Sequence, residues 1–197
     1  MSYHDWLNST LASDACEGRG VLPFQISQLV PGTVISGPAF VISASQDDNL
    51  SVNQALAAGF PEGCVLVVAG HETSRGATIG GLMALEILNQ GVKGLITDGL
   101  VRDAQEIRDL PLPVWCRGTT PTAPLKKGPG HFGGSVVIGG VVVYEGDLVI
   151  ADADGVVVWP KAEIPTLLEK AKARLDADNA RLAKLLIVAA ERKAAGK

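Results

Sequence analysis

The segment TDGLVRDAQEI (97–107) carries the densest set of chemically able side chains in the sequence. A run of strand-forming residues ends at Asp98-Gly99, and Arg102 and Asp103 follow at once. In open α/β sheets ligands gather at the carboxyl ends of strands, so a site is expected here. Arginine offers a planar fork that matches a carboxylate, and an aspartate beside it can hold a divalent cation. The same pair could also be a surface ion pair, or Asp103 an acid that complements a helix dipole.

A second candidate is ATIGGLM (77–83). Gly80 and Gly81 open a helix after a strand and loop, which leaves bare backbone N–H groups ahead of Leu82 and Met83 at the positive end of the dipole. Such a place receives carboxylates or phosphates. The spacing is neither G-x-G-x-x-G nor a P-loop, which speaks against dinucleotides and ATP. Two glycines could equally serve a tight turn.

Other candidates are thinner. His71-Glu72 suggests a metal, but a zincin needs a second histidine one turn on, and position 75 is Arg. His71 is therefore read as a loop residue or a support for the site. His131 lies in KKGPGHFGG (126–134), either an anion cradle or a flexible connector. There is no G-x-S-x-G, and Cys16 and Cys116 have no histidine nearby in sequence.

The elements that position these residues alternate. A short helix is predicted over 3–15, a strand over 33–45 and a helix over 49–59. GCVLVVAG (63–70) is an apolar run of strand length, the mark of a strand buried on both faces. A helix is predicted over 78–91, with further strands over 92–99 and 113–118. Strands alternating with helices imply a parallel sheet. From 133 to 159 short Val/Ile runs are split by Gly, Asp and Pro, which reads as antiparallel structure. The fold class is therefore α/β, a layered β/β/α domain over residues 1–160. Residues 161–197 form a C-terminal helix, with apolar residues from Ile164 to Ala189 at a spacing near 3.6. About 30 residues would span about 45 Å, more than one small domain covers. Part of the helix should then pack on a neighbouring subunit.

Bulk properties exclude several classes. With 197 residues, 47% hydrophobic and 19% charged, the composition is globular. A net charge of −4 and no basic stripe argue against nucleic acid. Three scattered cysteines without a CxxC suggest neither a disulfide scaffold nor a zinc knuckle. The N-terminus lacks the features of a signal peptide, and no run of about 18 apolar residues exists to span a membrane. A soluble, cytoplasmic protein is expected.

Taken together, GCVLVVAG…ATIGGLMALEILNQGVKGLITDGLVRDAQEI and GGVVVYEGDLVIADADGVVVWP resemble the RraA-like family. That family holds class II 4-hydroxy-4-methyl-2-oxoglutarate / 4-carboxy-4-hydroxy-2-oxoadipate aldolases and also regulators of ribonuclease E. The resemblance covers roughly residues 10 to 160. It implies a swivelling β/β/α domain and a homotrimer, or a hexamer of two trimers, with active sites at subunit interfaces. It implies that Asp103 is the ligand of Mg²⁺ or Mn²⁺, that Arg102 binds the oxo-acid end of a small 2-oxo acid, and that amides of Gly80 to Met83 receive its carboxylate.

The sequence departs from the aldolases at Gly81, where they usually carry an acid that helps to activate water. Asp14, His71 or Asp178 would have to stand in, Asp176 or Asp178 reaching in from a neighbour's C-terminal helix. Decarboxylation of oxaloacetate, which passes through the same pyruvate enolate, is accordingly expected to survive better than aldol cleavage. The ribonuclease-inhibiting members tend to lose the metal-binding aspartate, whereas Arg102-Asp103 is intact here. A metal-dependent lyase releasing pyruvate is the favoured reading. A non-catalytic regulator of ribonuclease activity and a metal-dependent lyase or hydrolase on another small acid are the alternatives.

Overall fold

The computed structural model describes residues 6–194. Positions 3–5 of the first predicted helix and 195–197 of the last lie outside the described residues. Among the described residues the α-helices are α1 (Ser9–Ala15), α2 (Leu50–Ala58), α3 (Gly81–Asn89), α4 (Ala104–Arg108) and α5 (Ile164–Ala194), the last preceded by a 3-10 turn at Lys161–Glu163. The strands are β1 (Ser27–Gln28), β2 (Ile35–Ser43), β3 (Val65–Ala69), β4 (Ala77–Ile79), β5 (Gly94–Thr97), β6 (Leu100–Val101) and β7 (Val114–Cys116). They continue with β8 (Gly118–Thr119), β9 (His131–Phe132), β10 (Ser135–Ile138), β11 (Val141–Tyr144), β12 (Leu148–Ala151) and β13 (Val156–Trp159).

The main sheet runs β1-β7-β5-β3-β2-β12-β13, with β9 also on β2. Its centre, β7-β5-β3-β2, is parallel; β1, β9, β12 and β13 add antiparallel edges. Every residue of β3 and β5 is buried, as the continuous apolar runs require of strands covered on both faces. The period of two in β3 divides the core. Val65, Val67 and Ala69 face a layer closed by the β10–β11 hairpin through Val136, Ile138 and Val143. Leu66 and Val68 face the helices, packing with Val52 and Ala55 of α2, Ala84 and Ile87 of α3, and Ile107 of α4. The observed order is thus hairpin, sheet, helices: the β/β/α layering expected from the sequence.

The β-rich end divides in two. β10 and β11 pair only with each other, while β12 and β13 join the main sheet through β2. A third core lies under β12 and β13, where Leu148, Ile150, Val157 and Trp159 meet α1 and the first turns of α5 through Leu167 and Ala171. Beyond that α5 leaves the domain, and Leu182, Leu185 and Leu186 are more than half exposed. At 31 residues it is about 46 Å long. Among the described residues no helix is long and apolar enough to cross a membrane.

Candidate active site

Two neighbouring strands deliver the site. β4 and β6 run parallel in a small three-stranded sheet with β8, and Ile79 is the register partner of Val101. The residues that follow them, Gly80 and Arg102, therefore emerge side by side, and Arg102 N donates to Ile79 O at 3.0 Å. The helix opens at Gly80-Gly81 after a strand, as expected, but Thr78 and Ile79 of the predicted 78–91 span belong to β4. Pairing with β6, through Ala77 with Leu100 and Ile79 with Val101, overrides local helical periodicity.

Asp103 adopts the left-handed conformation (φ 56°, ψ 42°) at the start of α4 but makes no side-chain cap to that helix. Its Oδ2 accepts from Gly81 N at 3.2 Å and lies 3.5 Å from Arg102 Nε. Glycine at position 80 is a steric need, since a Cβ there would lie 2.6 Å from Asp103 Oδ2 and 2.9 Å from Arg102 Nε. With Gly81 N spent on Asp103, the amides of Leu82 and Met83 remain without intrahelical acceptors at the positive end of α3. Arg102, Asp103, Gly80, Leu82 and Met83 line one cleft of about 460 Å³, which Asn49 and Lys126 also line. The Arg102 and Asp103 side chains are each 40% exposed there.

Asp103 Oδ1 bonds to no described group, and among the described residues no three His, Cys, Asp or Glu converge as a metal cage. One oxygen-donating carboxylate on an open cleft fits a hard divalent ion that keeps most of its water, and does not fit zinc.

The supporting candidates go to different places. His71 is 1% exposed. Its Nε2 faces the carbonyl oxygens of Ser45 (3.0 Å) and Asp48 (2.9 Å), so that nitrogen carries a proton; Nδ1 meets Thr78 Oγ1 at 2.8 Å. Both ring nitrogens are occupied, and His71 braces β4 against the 45–48 loop. Asp98 accepts from the amides of Gly70 and His71, and burial, opposed by those bonds, raises its carboxyl above the usual range. Asp14 and Asp178 both pair with Arg174, at 3.2 and 3.1 Å, and Asp14 lines a separate cleft with Lys170 and Arg174. Within one chain neither reaches Asp103. Asp176 pairs with Lys172. Lys93 Nζ donates to Ser36 O, a structural bond. His131 of β9 pairs with Ser43 of β2 while Phe132 stacks on Phe40, so that loop is a clamp on the sheet.

The sequence did not single out Asp48. Burial works to raise its carboxyl, but backbone bonds from Lys127, Leu50 and Gly128 hold it below its ordinary value. Those bonds anchor the loop that brings Lys126 to the cleft. Glu106 was also passed over; its carboxylate rests against Gly81. An acid one turn beyond Asp103, in a chain with a bare glycine where the aldolases carry an acid, was the available signal.

The RraA-like family (Aldolase/RraA) matches residues 9–158. The chain belongs to the RraA-like family. A protein of Halalkalibacterium halodurans provisionally named a 4-hydroxy-4-methyl-2-oxoglutarate aldolase is 34% identical to this RraA-like chain over 173 residues, 88% of this chain and 82% of the relative. Among solved structures, Streptomyces coelicolor RraAS2, described as an unusual member of the RNase ES inhibitor RraA family, matches with a TM-score of 0.78 and 27% identity. That match covers 91% of this chain and 93% of the other. The RNA-processing inhibitor RraA from Thermus matches with a TM-score of 0.71 and 28% identity, covering 79% and 93%. The names of the sequence relatives support an aldolase-type role, and those of the structural neighbours keep the regulator reading open.

Proposed function

We propose that this RraA-like protein is a cytoplasmic, divalent-metal-dependent lyase that cleaves a C–C bond of a small 2-oxo acid and releases pyruvate. The observation that carries the proposal is the Arg102–Asp103 pair, held over Gly80 beside the open amides of α3. Held through Asp103, Mg²⁺ or Mn²⁺ would supply Lewis acidity to the oxo group of the bound acid and so stabilise developing enolate charge. The protein's own groups do the rest. The Leu82 and Met83 amides and the terminal nitrogens of Arg102, whose Nε is turned to Asp103, present donors to the substrate carboxylate. The Gly81 amide fixes the direction of the Asp103 carboxylate. Among the described residues no lysine is placed for a Schiff base: Lys93 is spent on Ser36 and Lys126 lies exposed on the loop over the cleft. Assembly as a homotrimer or hexamer belongs to the same proposal.

The test is pyruvate release from oxaloacetate and from 4-hydroxy-4-methyl-2-oxoglutarate, with and without Mg²⁺ or Mn²⁺. Release that needs the metal is the expected result; no release from either substrate would sink the reading. The likeness to RraA inhibitors favours a second reading, a ribonuclease regulator. It predicts binding to a ribonuclease that is indifferent to Asp103→Asn.

A further inference from the structure

The space that Gly81 leaves empty is filled from another helix. A Cβ built on Gly81 would run into the Glu106 carboxylate, with Oε2 the first atom met, Glu106 Cβ at 2.9 Å and Cδ at 3.0 Å. Gly81 is an ordinary helical residue, outside the positive-φ set, so its backbone does not demand glycine. What demands it is the close approach of Glu106. Glu106 stands on α4, one turn beyond Asp103, and is exposed. It makes no hydrogen bond or ion pair with any described residue. The carboxylate is therefore in place and chemically unspent.

Gly81 N also donates to Asp103 Oδ2 at 3.2 Å. One residue thus touches both acids, and backbone geometry keeps the two carboxylates within about 8 Å of each other. Glu106 stands behind Gly81 and not among the residues that line the cleft, so a substrate bound between Arg102 and Asp103 would meet it through a bridging water.

From this geometry we infer that Glu106 is the proton acceptor for aldol cleavage, supplying from α4 the acid that position 81 lacks. The inference rests on the lyase reading above. Through that water the Glu106 carboxylate takes the proton of the C4 hydroxyl of a 4-hydroxy-2-oxo acid. The C4–O bond becomes a carbonyl as the C3–C4 bond breaks, and the electron pair of that bond passes into the enolate of pyruvate. Glu106, now a carboxylic acid, returns the proton to C3, giving pyruvate and a second oxo acid with all atoms accounted for. Glu106 revises the expectation drawn from Gly81 alone: aldol cleavage is retained, and the two reactions differ in their need for this one side chain. Decarboxylation of oxaloacetate releases CO₂ from a carboxylate that is already ionised, so it needs no acceptor.

The experiment compares kcat for 4-hydroxy-4-methyl-2-oxoglutarate and oxaloacetate, with saturating Mg²⁺, in wild type, Glu106→Gln, Glu106→Ala and the double variant Gly81→Asp/Glu106→Ala. Removing Glu106 should shift the ratio of the two rates toward decarboxylation by about 10²–10⁴, the usual worth of a general base. Gly81→Asp on the Glu106→Ala background should recover at least tenfold of the lost aldol rate, because it returns a carboxylate to the same space. A readout independent of metal and activity is thermal unfolding of the metal-free protein. Gly81→Ala should lower Tm more when Glu106 is present than when it is alanine, which removes the carboxylate but keeps the Cβ at 2.9 Å. An unchanged rate ratio in Glu106→Gln, or no recovery by Gly81→Asp, would overturn the assignment while leaving the lyase reading intact. A wild-type protein that releases pyruvate from neither substrate overturns the lyase reading, and this inference with it.

Discussion

The Gly81 amide donates to Asp103 Oδ2 across 3.2 Å, joining the first residue of α3 to the residue that starts α4. An aspartate at a helix start usually turns back to cap its own helix. Asp103 does not, because its left-handed backbone and the neighbouring Arg102 direct the carboxylate toward α3. Left-handed backbone costs an L-residue about 1–2 kcal/mol, least for Asp and Asn. A strained residue held by two elements on an open cleft is the usual signature of a functional position.

Asp103→Asn should therefore keep the fold, since asparagine tolerates the same backbone, and abolish divalent-metal binding together with pyruvate release. Asp103→Ala should lose the same functions and also some stability from the backbone strain. Calorimetric titration with Mn²⁺ beside thermal unfolding checks this. Wild-type affinity in Asp103→Asn would remove Asp103 from the metal site.

Arg102→Lys should behave as a severe change. Arginine spends Nε on Asp103 and still has terminal nitrogens for a substrate carboxylate; lysine offers one point charge. Losing one such charged hydrogen bond costs about 1.5–3 kcal/mol, roughly a 10- to 150-fold fall in kcat/KM. Steady-state kinetics that move less than threefold would reduce Arg102 to a structural role.

Much of this site was legible in the sequence because its parts are local. The apolar runs of β3 and β5, the glycine pair before α3 and the adjacent Arg102-Asp103 all lie within single short segments. What escaped is what depends on contacts distant in sequence. Thr78 and Ile79 fall in a span read as helix until β6 pairs with Ala77 and Ile79. His71 reads as a loop residue or a support for the site, but its partners, two carbonyls and the Thr78 hydroxyl, are set by contacts the local sequence does not show. β12 and β13 showed their turns but not that β2 would take them into the main sheet. Glu106 meets Gly81 across 25 positions; its place one turn beyond Asp103 is visible in the sequence, but that contact is not.

The three thiols should be inert at neutral pH. Cys16, Cys64 and Cys116 are all free and buried. Burial raises the pKa of each, Cys64 to about 11. A raised thiol pKa keeps the nucleophilic thiolate scarce below that value and lets it rise only with more alkaline pH. Labelling with a disulfide reagent at pH 8 should be slow in the folded protein and reach all three cysteines after unfolding. A fast equivalent in the native protein would show that one of these sites opens to solvent.

The distal part of α5 should matter for assembly more than for folding. Only Leu167 and Ala171 of this helix are buried, whereas Leu182, Leu185 and Leu186 form an exposed stripe at helical spacing. Replacing these three leucines with serine should leave the domain's melting temperature within a few degrees while lowering the mass measured by light scattering. An unchanged mass would assign subunit contacts to another surface.

Gly80→Ala should disable the site without a large loss of fold. The glycine's backbone is extended (φ −125°, ψ −177°), a conformation alanine adopts freely, so any effect must come from the added methyl. That methyl would lie 2.6 Å from Asp103 Oδ2, 2.9 Å from Arg102 Nε and 3.1 Å from Arg102 Cγ. All three atoms belong to side chains 40% exposed, which can swing toward solvent. Relief by side-chain movement limits the stability cost to about 1–3 kcal/mol, the usual range for overpacking. The same movement carries Arg102 and Asp103 away from the α3 amides, and a misplacement of about 1 Å can cost on the order of 100-fold in rate. The variant should thus melt within several degrees of wild type, bind Mn²⁺ more weakly and lose about 100-fold or more in kcat/KM for pyruvate release. Gly80→Ala with wild-type kinetics would mean that the approach of Arg102 and Asp103 to this glycine is not the arrangement that works.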